Sequence, residues 1–395
     1  MIRPQRRLAA LAAIVLTAAL GACSIRLSGP PGDTEWVDPC PSPATDLEPP
    51  DHGVWLGASL QWSDETAKEY ADRLGHDPAV LVTFADLPLT GNDRHLLDQA
   101  MFQARGVGAM LLVTLEPQDG LASVTDTVIK SVVSLVDSYD RQGVPVLVRF
   151  AHEMNGSWYA WGQDPAAYVR TFRRLADAVH SGAPGAAMLW APNYGGGYPF
   201  AGGEYSAKPG TRAFRLLDTN HNGRLDRRDD SYAPYWPGKD YVDWVGMSVY
   251  HWGLRYPWGE NELPEAGKFV GMLRGTYAGW HGQDLPTPDF YAEYAERYDL
   301  PLAVTETAAL YVPGNGGADE LDLKSRWWDQ VYAADLPEEL PQLKMINWFE
   351  QKKQEVEVHD VVDWAATRSD AVRDRYVDAL PAWARWGDDV PHCTD

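Results

Sequence analysis

The sequence predicts an α/β fold, a (β/α)₈ TIM barrel with long loop insertions at the C-terminal face of the barrel. Eight short apolar segments alternate along the chain with segments of helical periodicity. No Gly-x-Gly-x-x-Gly motif follows the first apolar segment. The sequence therefore does not support an open sheet that binds a dinucleotide. Polar residues directly follow several apolar segments, as they do where an active site forms at the ends of barrel strands.

The predicted strands are short apolar runs bounded by Gly, Pro or polar residues. They cover residues 53–60, 79–85, 109–115, 145–152, 187–192, 242–250, 302–307 and 343–349. The predicted helices lie between these runs and carry apolar residues three or four positions apart. They cover residues 64–74, 92–105, 123–140, 165–180, 319–332 and 369–386, with Asp164 as the N-cap of the fourth and Pro165 as its first residue. Long connections after strands five and six add structure at the same face.

The N-terminus predicts export and a lipid anchor. Arginines precede an apolar run from Leu8 to Leu20, which is too short to span a bilayer as a helix of the mature protein. The sequence from Leu20 to Cys23, with Gly21 and Ala22 between them, resembles a bacterial lipoprotein signal. It implies lipidation of Cys23 and an extracytoplasmic, cell-surface location. An ordinary secretory signal cleaved near Ala22 is the alternative, and the export route, Sec or twin-arginine, stays open.

We therefore divide the chain into a signal peptide at 1–22, a Pro/Gly-rich tether without regular structure at 23–52 and a barrel domain at 53–395. Cys40 and Cys393 lie near the two ends of that domain. In an oxidising compartment we expect a disulfide between them, with two free thiols as the alternative.

The composition narrows the partners. A net charge of −22 argues against nucleic acid, because phosphate backbones repel an acidic chain. The 17 Trp and 19 Tyr suit a carbohydrate surface, although many of them belong in the core. We expect a monomer that meets the membrane only through its lipid and needs no cofactor for catalysis.

Polar side chains at the strand ends are expected to converge at one face of the barrel. They are Glu116, His152, Glu153, Asn193, Tyr250, His251, Glu306, Trp348 and Glu350. The stretch from Val146 to Gly162 is the richest, because an apolar run leads into Arg149, His152 and Glu153 and then into an aromatic loop. The alternative for this stretch is a buried salt bridge between Arg149 and Glu153.

Two of these carboxyls suit glycosidic bond hydrolysis. Retaining enzymes use one carboxyl to protonate the leaving oxygen and a second, about 5–5.5 Å away, to attack the anomeric carbon. We expect Glu153 to be the acid/base and Glu306 the nucleophile, since strands four and seven face each other across a barrel mouth. A negative Glu306 would raise the pKa of Glu153. A structural carboxylate is the alternative for Glu306.

At these residues the chain resembles glycoside hydrolase family 26, whose best-known members are β-mannanases. The matching motifs are His152-Glu-Met-Asn-Gly-Ser-Trp-Tyr-Ala-Trp-Gly162, Tyr241-Val-Asp-Trp-Val-Gly-Met-Ser-Val-Tyr250, Val304-Thr-Glu306 and Ile346-Asn-Trp348. The resemblance runs from about Gly53 to Trp386. It implies a retaining (β/α)₈ barrel whose acid/base ends strand four and whose nucleophile ends strand seven.

The resemblance also implies sugar-binding residues. Tyr250 matches the tyrosine near the nucleophile, His152 the active-site histidine, and Trp158 and Trp348 the two tryptophans. Core packing is the alternative for both tryptophans, and a structural histidine bonded to a carbonyl is the alternative for His152. The remaining candidates are Asn155 as a substrate contact, Trp161, Trp252 and Trp258 at outer subsites, and Glu116, His251 and Glu350 in supporting roles.

One insert, near residues 194–240, departs from the family. It contains a stretch that fits a twelve-residue calcium loop, with Gly223 at the sixth position. The expected ligands are Asp218, Asn220, Asn222, Arg224 through its carbonyl, Asp226 and Asp229. A structural Ca²⁺ would order the insert, and a solvated Asp/Asn turn is the alternative.

The leading hypothesis is a lipid-anchored, retaining endo-β-1,4-mannanase. Mixed-linkage β-glucanase and β-1,3-xylanase activities are alternatives within the same family. A glycan-binding lipoprotein without catalysis is the alternative from another class, although binding alone would not need the pair Glu153 and Glu306.

Overall fold

The computed structural model describes residues 47–282 and 285–391, and all of them fall within one compact unit. Eight parallel strands form a closed barrel, because the first strand pairs with the eighth as well as with the second. These strands are β1 Val54–Leu60, β2 Val80–Asp86, β3 Met110–Glu116, β4 Val146–Phe150, β5 Ala187–Trp190, β6 Trp244–Ser248, β7 Leu302–Thr307 and β8 Leu343–Glu350. The predicted barrel is confirmed.

Helices cover the outside of the barrel. They are α1 Ala67–Leu74, α2 Gly91–Gly106, α3 Asp126–Asp140, α4 Pro165–Gly182, α5 Arg212–Leu217, α6 Lys268–Leu273, α7 Glu320–Val331, α8 Leu336–Glu339 and α9 Asp370–Asp378. Asp164 caps α4 as predicted, since its side chain accepts from the backbone N–H of Ala167 (3.1 Å).

The last predicted helix was too long. We expected it to cover 369–386, but α9 ends at Asp378. Pro381 disfavours helical geometry just beyond this point. The chain then forms a short strand, β11 Ala384–Arg385, which pairs with the start of β1. A hairpin that the sequence did not predict, β9 Lys352–Glu355 and β10 Asp360–Asp363, follows β8.

The core has two layers. Inside the barrel, Val82, Leu112, Leu147 and Met345 belong to one buried cluster. A larger cluster packs the outward-facing strand residues against the helices. The two layers follow from the alternation of side chains along each strand, which sends every second residue to the opposite face.

The floor of the barrel includes the end of the predicted tether. Leu47 is buried in the interior cluster, and its carbonyl accepts from the indole Nε1 of Trp244 (3.2 Å). The packed domain therefore begins before residue 53. Val390 belongs to the same cluster, so the described ends of the chain meet at this floor. Cys23, Cys40, Cys393 and the predicted signal peptide lie outside the described residues.

Within the described residues, no helix is long and apolar enough to cross a bilayer.

Candidate active site

The turn after β4 fixes the position of Glu153. Ala151 and Glu153 both adopt left-handed backbone conformations (φ 47° and 52°), which are costly for residues with a side chain and tend to occur at functional sites. The strand therefore ends at Phe150, two residues earlier than predicted. The N–H of Glu153 donates to the carbonyl of Ala191 just after β5 (2.9 Å), which ties the turn to the neighbouring strand.

Glu306 lies near the end of β7 and is largely buried. Tyr250 donates its hydroxyl hydrogen to Glu306 Oε2 (2.7 Å), as expected from the sequence. A guanidinium N–H of Arg149 donates to the other carboxyl oxygen. Two donors, one of them a cation, therefore contact the two oxygens of this carboxylate and fix its position.

Arg149 connects the two glutamates. Its side chain is fully buried inside the barrel. We considered a salt bridge from Arg149 to Glu153, but the ion pair forms with Glu306 instead. The second Nη atom donates to Ser248 Oγ (2.9 Å), and the hydroxyl of Ser248 in turn hydrogen-bonds to Glu153. A continuous chain of polar contacts thus runs from Glu306 to Glu153.

The electrostatics of Glu153 favour a proton. Burial raises the pKa of Glu153 to about 7, and the negative charge of Glu306 adds to this rise. Arg149 and the hydrogen bonds from Ser248 and Trp158 act in the opposite direction but are weaker. The site therefore holds one carboxyl that keeps its proton near neutrality beside another that is contacted by a cation, which is the asymmetry that acid-assisted displacement needs.

His152 and Glu116 lie beside this pair. Burial lowers the pKa of His152 well below its ordinary value, with the charges of Arg149 and Lys353 adding to the effect, so the ring is neutral. Its Nδ1 lies 3.9 Å from Glu116 Oε1, too far for a hydrogen bond, and has no other partner among the described residues. Burial and the charge of Asp86 raise the pKa of Glu116 to about 7.

The two tryptophans predicted as stacking platforms differ. Trp158 is exposed (38%), hydrogen-bonds to Glu153 and packs edge-on against Phe200. Trp348 is fully buried between β8 and the helices, with Trp328 and Tyr376 against its ring. The prediction for Trp348 was wrong, because alternation along β8 turns its side chain outward from the barrel interior.

Four other candidates are structural. Trp161 is fully buried and donates to the carbonyl of His152 (2.7 Å), so it is not at an outer subsite. Asn155 is fully buried and exchanges two hydrogen bonds with the backbone of Asn193 (2.8 and 2.9 Å), so it joins two loops and is not accessible to a sugar.

His251 and Glu350 are also buried within the fold. His251 Nε2 bonds the carbonyl of Glu262 (2.7 Å), and Lys268 Nζ contacts its Nδ1 (3.1 Å). Glu350 accepts from the backbone N–H groups of Ala366 and Thr367 (both 2.8 Å) and from the Thr367 hydroxyl (2.7 Å). Each side chain holds a loop in place, and neither is free to contact a substrate.

A cleft of about 680 Å³ opens beside the glutamates. Ser248 and Tyr250, which contact Glu153 and Glu306, both line it. The rest of its wall comes from the long loops after β5 and β6. They contribute Asn193, Tyr194, Phe200, Arg227, Trp252, Arg255, Trp258, Lys268, Tyr277 and Trp280, among others. Trp252 and Trp258 thus lie in the wall, as expected for outer subsites.

The predicted calcium loop forms a compact, hydrogen-bonded turn. Asp218 Oδ2 accepts from the N–H of Gly223 (2.8 Å), whose φ of 81° gives the sharp bend expected at the sixth position. Asp229 accepts from the N–H groups of Asn220 (3.2 Å) and Asp226 (2.9 Å), which brings both ends of the loop together. In the described part of the chain no three Asp, Glu, His or Cys side chains gather as a metal-binding group. A cation here would therefore depend on the amide and carbonyl oxygens as well.

Several residues of the site were not assigned a role from the sequence. Arg149 stood out as a charge inside an apolar strand, but its ion pair with Glu306 was not predicted. Ser248 lies in the motif from Tyr241 to Tyr250, but nothing in the sequence marked it as a contact of the two glutamates. Trp364 packs against the ring of Tyr250 (5.2 Å), and Arg255 and Trp280 meet from separate loops, none of which a periodic pattern marks.

Comparisons with known sequences identify relatives. The sequence model for Glycosyl hydrolase family 26 matches residues 112–195, from β3 to the loop after β5. Endoglucanase H of Acetivibrio thermocellus is 22% identical over 343 residues, which cover 84% of this chain. The match spans only 30% of that relative's length.

Solved structures share the fold. An endo-β-1,4-mannanase from Cellulomonas fimi superposes with a TM-score of 0.55 at 16% identity, covering 86% of this chain and 73% of that one. A GH26 protein from Muricauda sp. MAR_2010_75 superposes with a TM-score of 0.54 at 13% identity, covering 86% and 88% of the two chains. At these identities the likeness establishes the barrel.

Proposed function

From the match of residues 112–195 to Glycosyl hydrolase family 26, we propose that the chain is a retaining endo-β-1,4-mannanase of that family. Glu153 serves as the general acid/base and Glu306 as the nucleophile. One observation carries the assignment: a carboxyl with a pKa of about 7 is linked through Ser248 and Arg149 to a second carboxylate that accepts from a cation and a tyrosine.

The reaction proceeds in two displacements. Glu306 attacks the anomeric carbon while Glu153 gives its proton to the glycosidic oxygen, so the glycosidic bond breaks and a glycosyl ester forms on Glu306. Glu153, now a carboxylate, removes a proton from water, and the water oxygen displaces Glu306 from the anomeric carbon. Both carboxyls return to their first states, and the configuration is retained.

Neighbouring residues support each role. Arg149 and Tyr250 donate to Glu306 and hold its carboxyl group in place for attack. Trp158 offers an exposed indole in hydrogen-bonding contact with Glu153, where a sugar ring can stack. The neutral ring of His152 lies beside the pair, with its Nδ1 3.9 Å from Glu116 Oε1, and supports the shape of the site from within the barrel.

Mannan is the first substrate to test, because the superposed enzyme from Cellulomonas fimi is a mannanase. The relative named as an endoglucanase keeps mixed-linkage β-glucan in the comparison, and β-1,3-xylan completes the panel. Reducing ends should appear from mannan. Release from β-glucan or xylan alone would reassign the substrate and leave the two glutamates in their roles.

The decisive experiment is Glu306→Ala. Turnover should fall at least about a thousandfold because the glycosyl ester cannot form, while binding to mannan in affinity electrophoresis persists. Glu338→Ala, which removes an exposed carboxylate on α8, is the matched control and should behave as wild type. Equal turnover in the two variants would reject the nucleophile. No turnover by the wild type on any glycan of the panel would favour the glycan-binding alternative.

We also propose that the loop from Asp218 to Asp229 binds a structural Ca²⁺. Asp218, Asp229, Asn220, Asn222 and Asp226 would supply side-chain oxygens, and Arg224 a carbonyl. The ion would have no step in the reaction. It would hold the insert that carries Arg227 into the cleft wall.

Export and attachment remain proposals from the sequence. Cys23→Ala should release the protein from the membrane fraction if Cys23 carries the lipid. A peptide joining Cys40 to Cys393 in an unreduced digest would establish the disulfide.

A further inference from the structure

The cleft differs in charge from the chain as a whole. The protein has 56 Asp and Glu against 34 Lys and Arg. Among the described residues that line the cleft, three are cations and none is a carboxylate. The cations are Arg227, Arg255 and Lys268. Because this wall is cationic in an otherwise acidic protein, it favours a ligand that carries an anionic group.

Two of the three cations have other duties. Lys268 Nζ donates to the carbonyl of Gly253 (2.8 Å), contacts His251 Nδ1 (3.1 Å) and lies 3.5 Å from Glu265 Oε2. Its charge is thus largely balanced inside the loop. Arg227 has a partner of its own as well. The unbalanced charge in the wall is therefore that of Arg255.

Arg255 is exposed and presented in a defined way. Its guanidinium carbon lies 5.0 Å from the centre of the Trp280 ring, which comes from a separate loop and also lines the cleft. No carboxylate in the described part of the chain lies within ion-pair distance of Arg255. Stacking occupies the face of a guanidinium and leaves its N–H edge for a ligand.

The pair matches an acidic sugar. The planar N–H fork of arginine fits the two oxygens of a carboxylate, and an indole fits the apolar face of a pyranose ring. We propose that Arg255 and Trp280 form a subsite for a sugar bearing a carboxylate, so that the glycan substrate carries uronic acid residues. The proposal rests on the proposed function, because it places this sugar in the cleft that Tyr250 shares with the catalytic pair.

The test compares matched polymers. Native galactomannan and native lichenan are each paired with a preparation lightly oxidised at C6, which turns primary alcohols into carboxylates. The wild type should hydrolyse the oxidised form of its substrate with a kcat/KM about three- to tenfold above that of the native form. Arg255→Gln should lose this preference, and high salt should reduce it in the wild type.

Arg297→Gln is the matched control, because Arg297 is exposed and lies 5.4 Å from the ring centre of Tyr298 but does not line the cleft. It should keep the preference. Equal rates on both polymers, or equal losses in the two variants, would overturn the proposal. A higher kcat/KM on sulfated galactomannan than on the oxidised polymer would also overturn it, because the subsite would then select sulfate groups.

Binding separates this proposal from the proposed function. In affinity electrophoresis, the Glu306→Ala protein should be retarded more by oxidised than by native polymer, and adding Arg255→Gln should remove the difference. This readout needs no turnover. If the wild type cleaves neither polymer, the hydrolase assignment fails while the retardation still decides the role of Arg255.

Discussion

The two sides of the cleft are built in different ways. On the side of β4 and β7, Arg149, Glu306 and Ser248 are buried and joined by hydrogen bonds that fix each side chain. On the side of the loops after β5 and β6, Arg255 is exposed and, within the described residues, is held by its contact with the Trp280 ring. Chemistry needs desolvated groups in fixed positions, whereas recognition tolerates a solvated and adaptable wall.

The largest expected effect comes from breaking the buried side. Arg149→Met leaves Glu306 without its cation inside the barrel, and we expect a loss of about 3–5 kcal/mol in unfolding free energy. In the folded fraction, kcat should fall at least about a hundredfold. Urea unfolding and kcat measured well below the melting temperature separate the two effects.

The control for this change is Arg141→Met. Arg141 forms an exposed pair with Asp137 on α3 (2.9 Å), and its removal should cost at most about 1 kcal/mol. If Arg149→Met were as mild as Arg141→Met, the buried side would not depend on its ion pair and the contrast between the two sides would disappear.

A second comparison uses two tryptophans. Trp348→Ala should lower the free energy of unfolding by about 3–5 kcal/mol, because it leaves a cavity beside Trp328 and Tyr376, and should change KM little. Trp158→Ala should raise KM several-fold and leave stability nearly unchanged, since its ring is partly solvated. Thermal melts and initial rates on soluble mannan measure both. If Trp348→Ala raised KM and left stability unchanged, Trp348 would be a substrate contact after all.

The pH profile sharpens the assignment of the acid. Glu153 donates its proton, so its active form is the protonated one, and burial together with Glu306 raises its pKa to about 7. The kcat/KM should therefore be maintained just below pH 7 and fall about tenfold per unit well above it.

Glu116 also has a pKa of about 7, so Glu116→Gln tells the two carboxyls apart. In this variant the fall of kcat/KM above pH 7 should persist. It should begin at a slightly lower pH, because a negative neighbour of Glu153 is removed. If kcat/KM no longer fell above pH 7, Glu116 and not Glu153 would control activity above neutrality.

The smallest expected effect concerns the loop side. If the stretch from Asp218 to Asp229 binds Ca²⁺, a chelator should lower the melting temperature by a few degrees, about 2–5 °C. The Asp218→Ala variant should melt at that lower temperature and no longer respond to chelator. An unchanged midpoint in the wild type, with no metal in the purified protein, would contradict the calcium proposal.

The difference between the two sides of the cleft also explains which features could be predicted from the sequence. The eight strands were found within a few residues, because a buried parallel strand is a short apolar run between turn residues. Glu153 and Glu306 followed from their positions at strand ends. Trp348 was misplaced although alternation along β8 could have shown that it shares a face with Ile346 and not with Met345.

The loop side left far less trace in the sequence. Asn155 has the side-chain chemistry of a sugar-binding residue, yet its amide is buried and exchanges two hydrogen bonds with the backbone of Asn193. Arg255 and Trp280 are 25 positions apart in loops without periodicity, and their contact depends on how the whole β6–β7 connection folds. Such contacts arise from tertiary packing, which a local pattern does not encode.

Burial of Leu47 at the floor of the barrel sets a direction for the whole molecule. Leu47 lies at the end of the barrel opposite to the open mouth, so the packed chain begins on the face that is farthest from the glutamates. An attachment made at that face would leave the cleft open to large polymers.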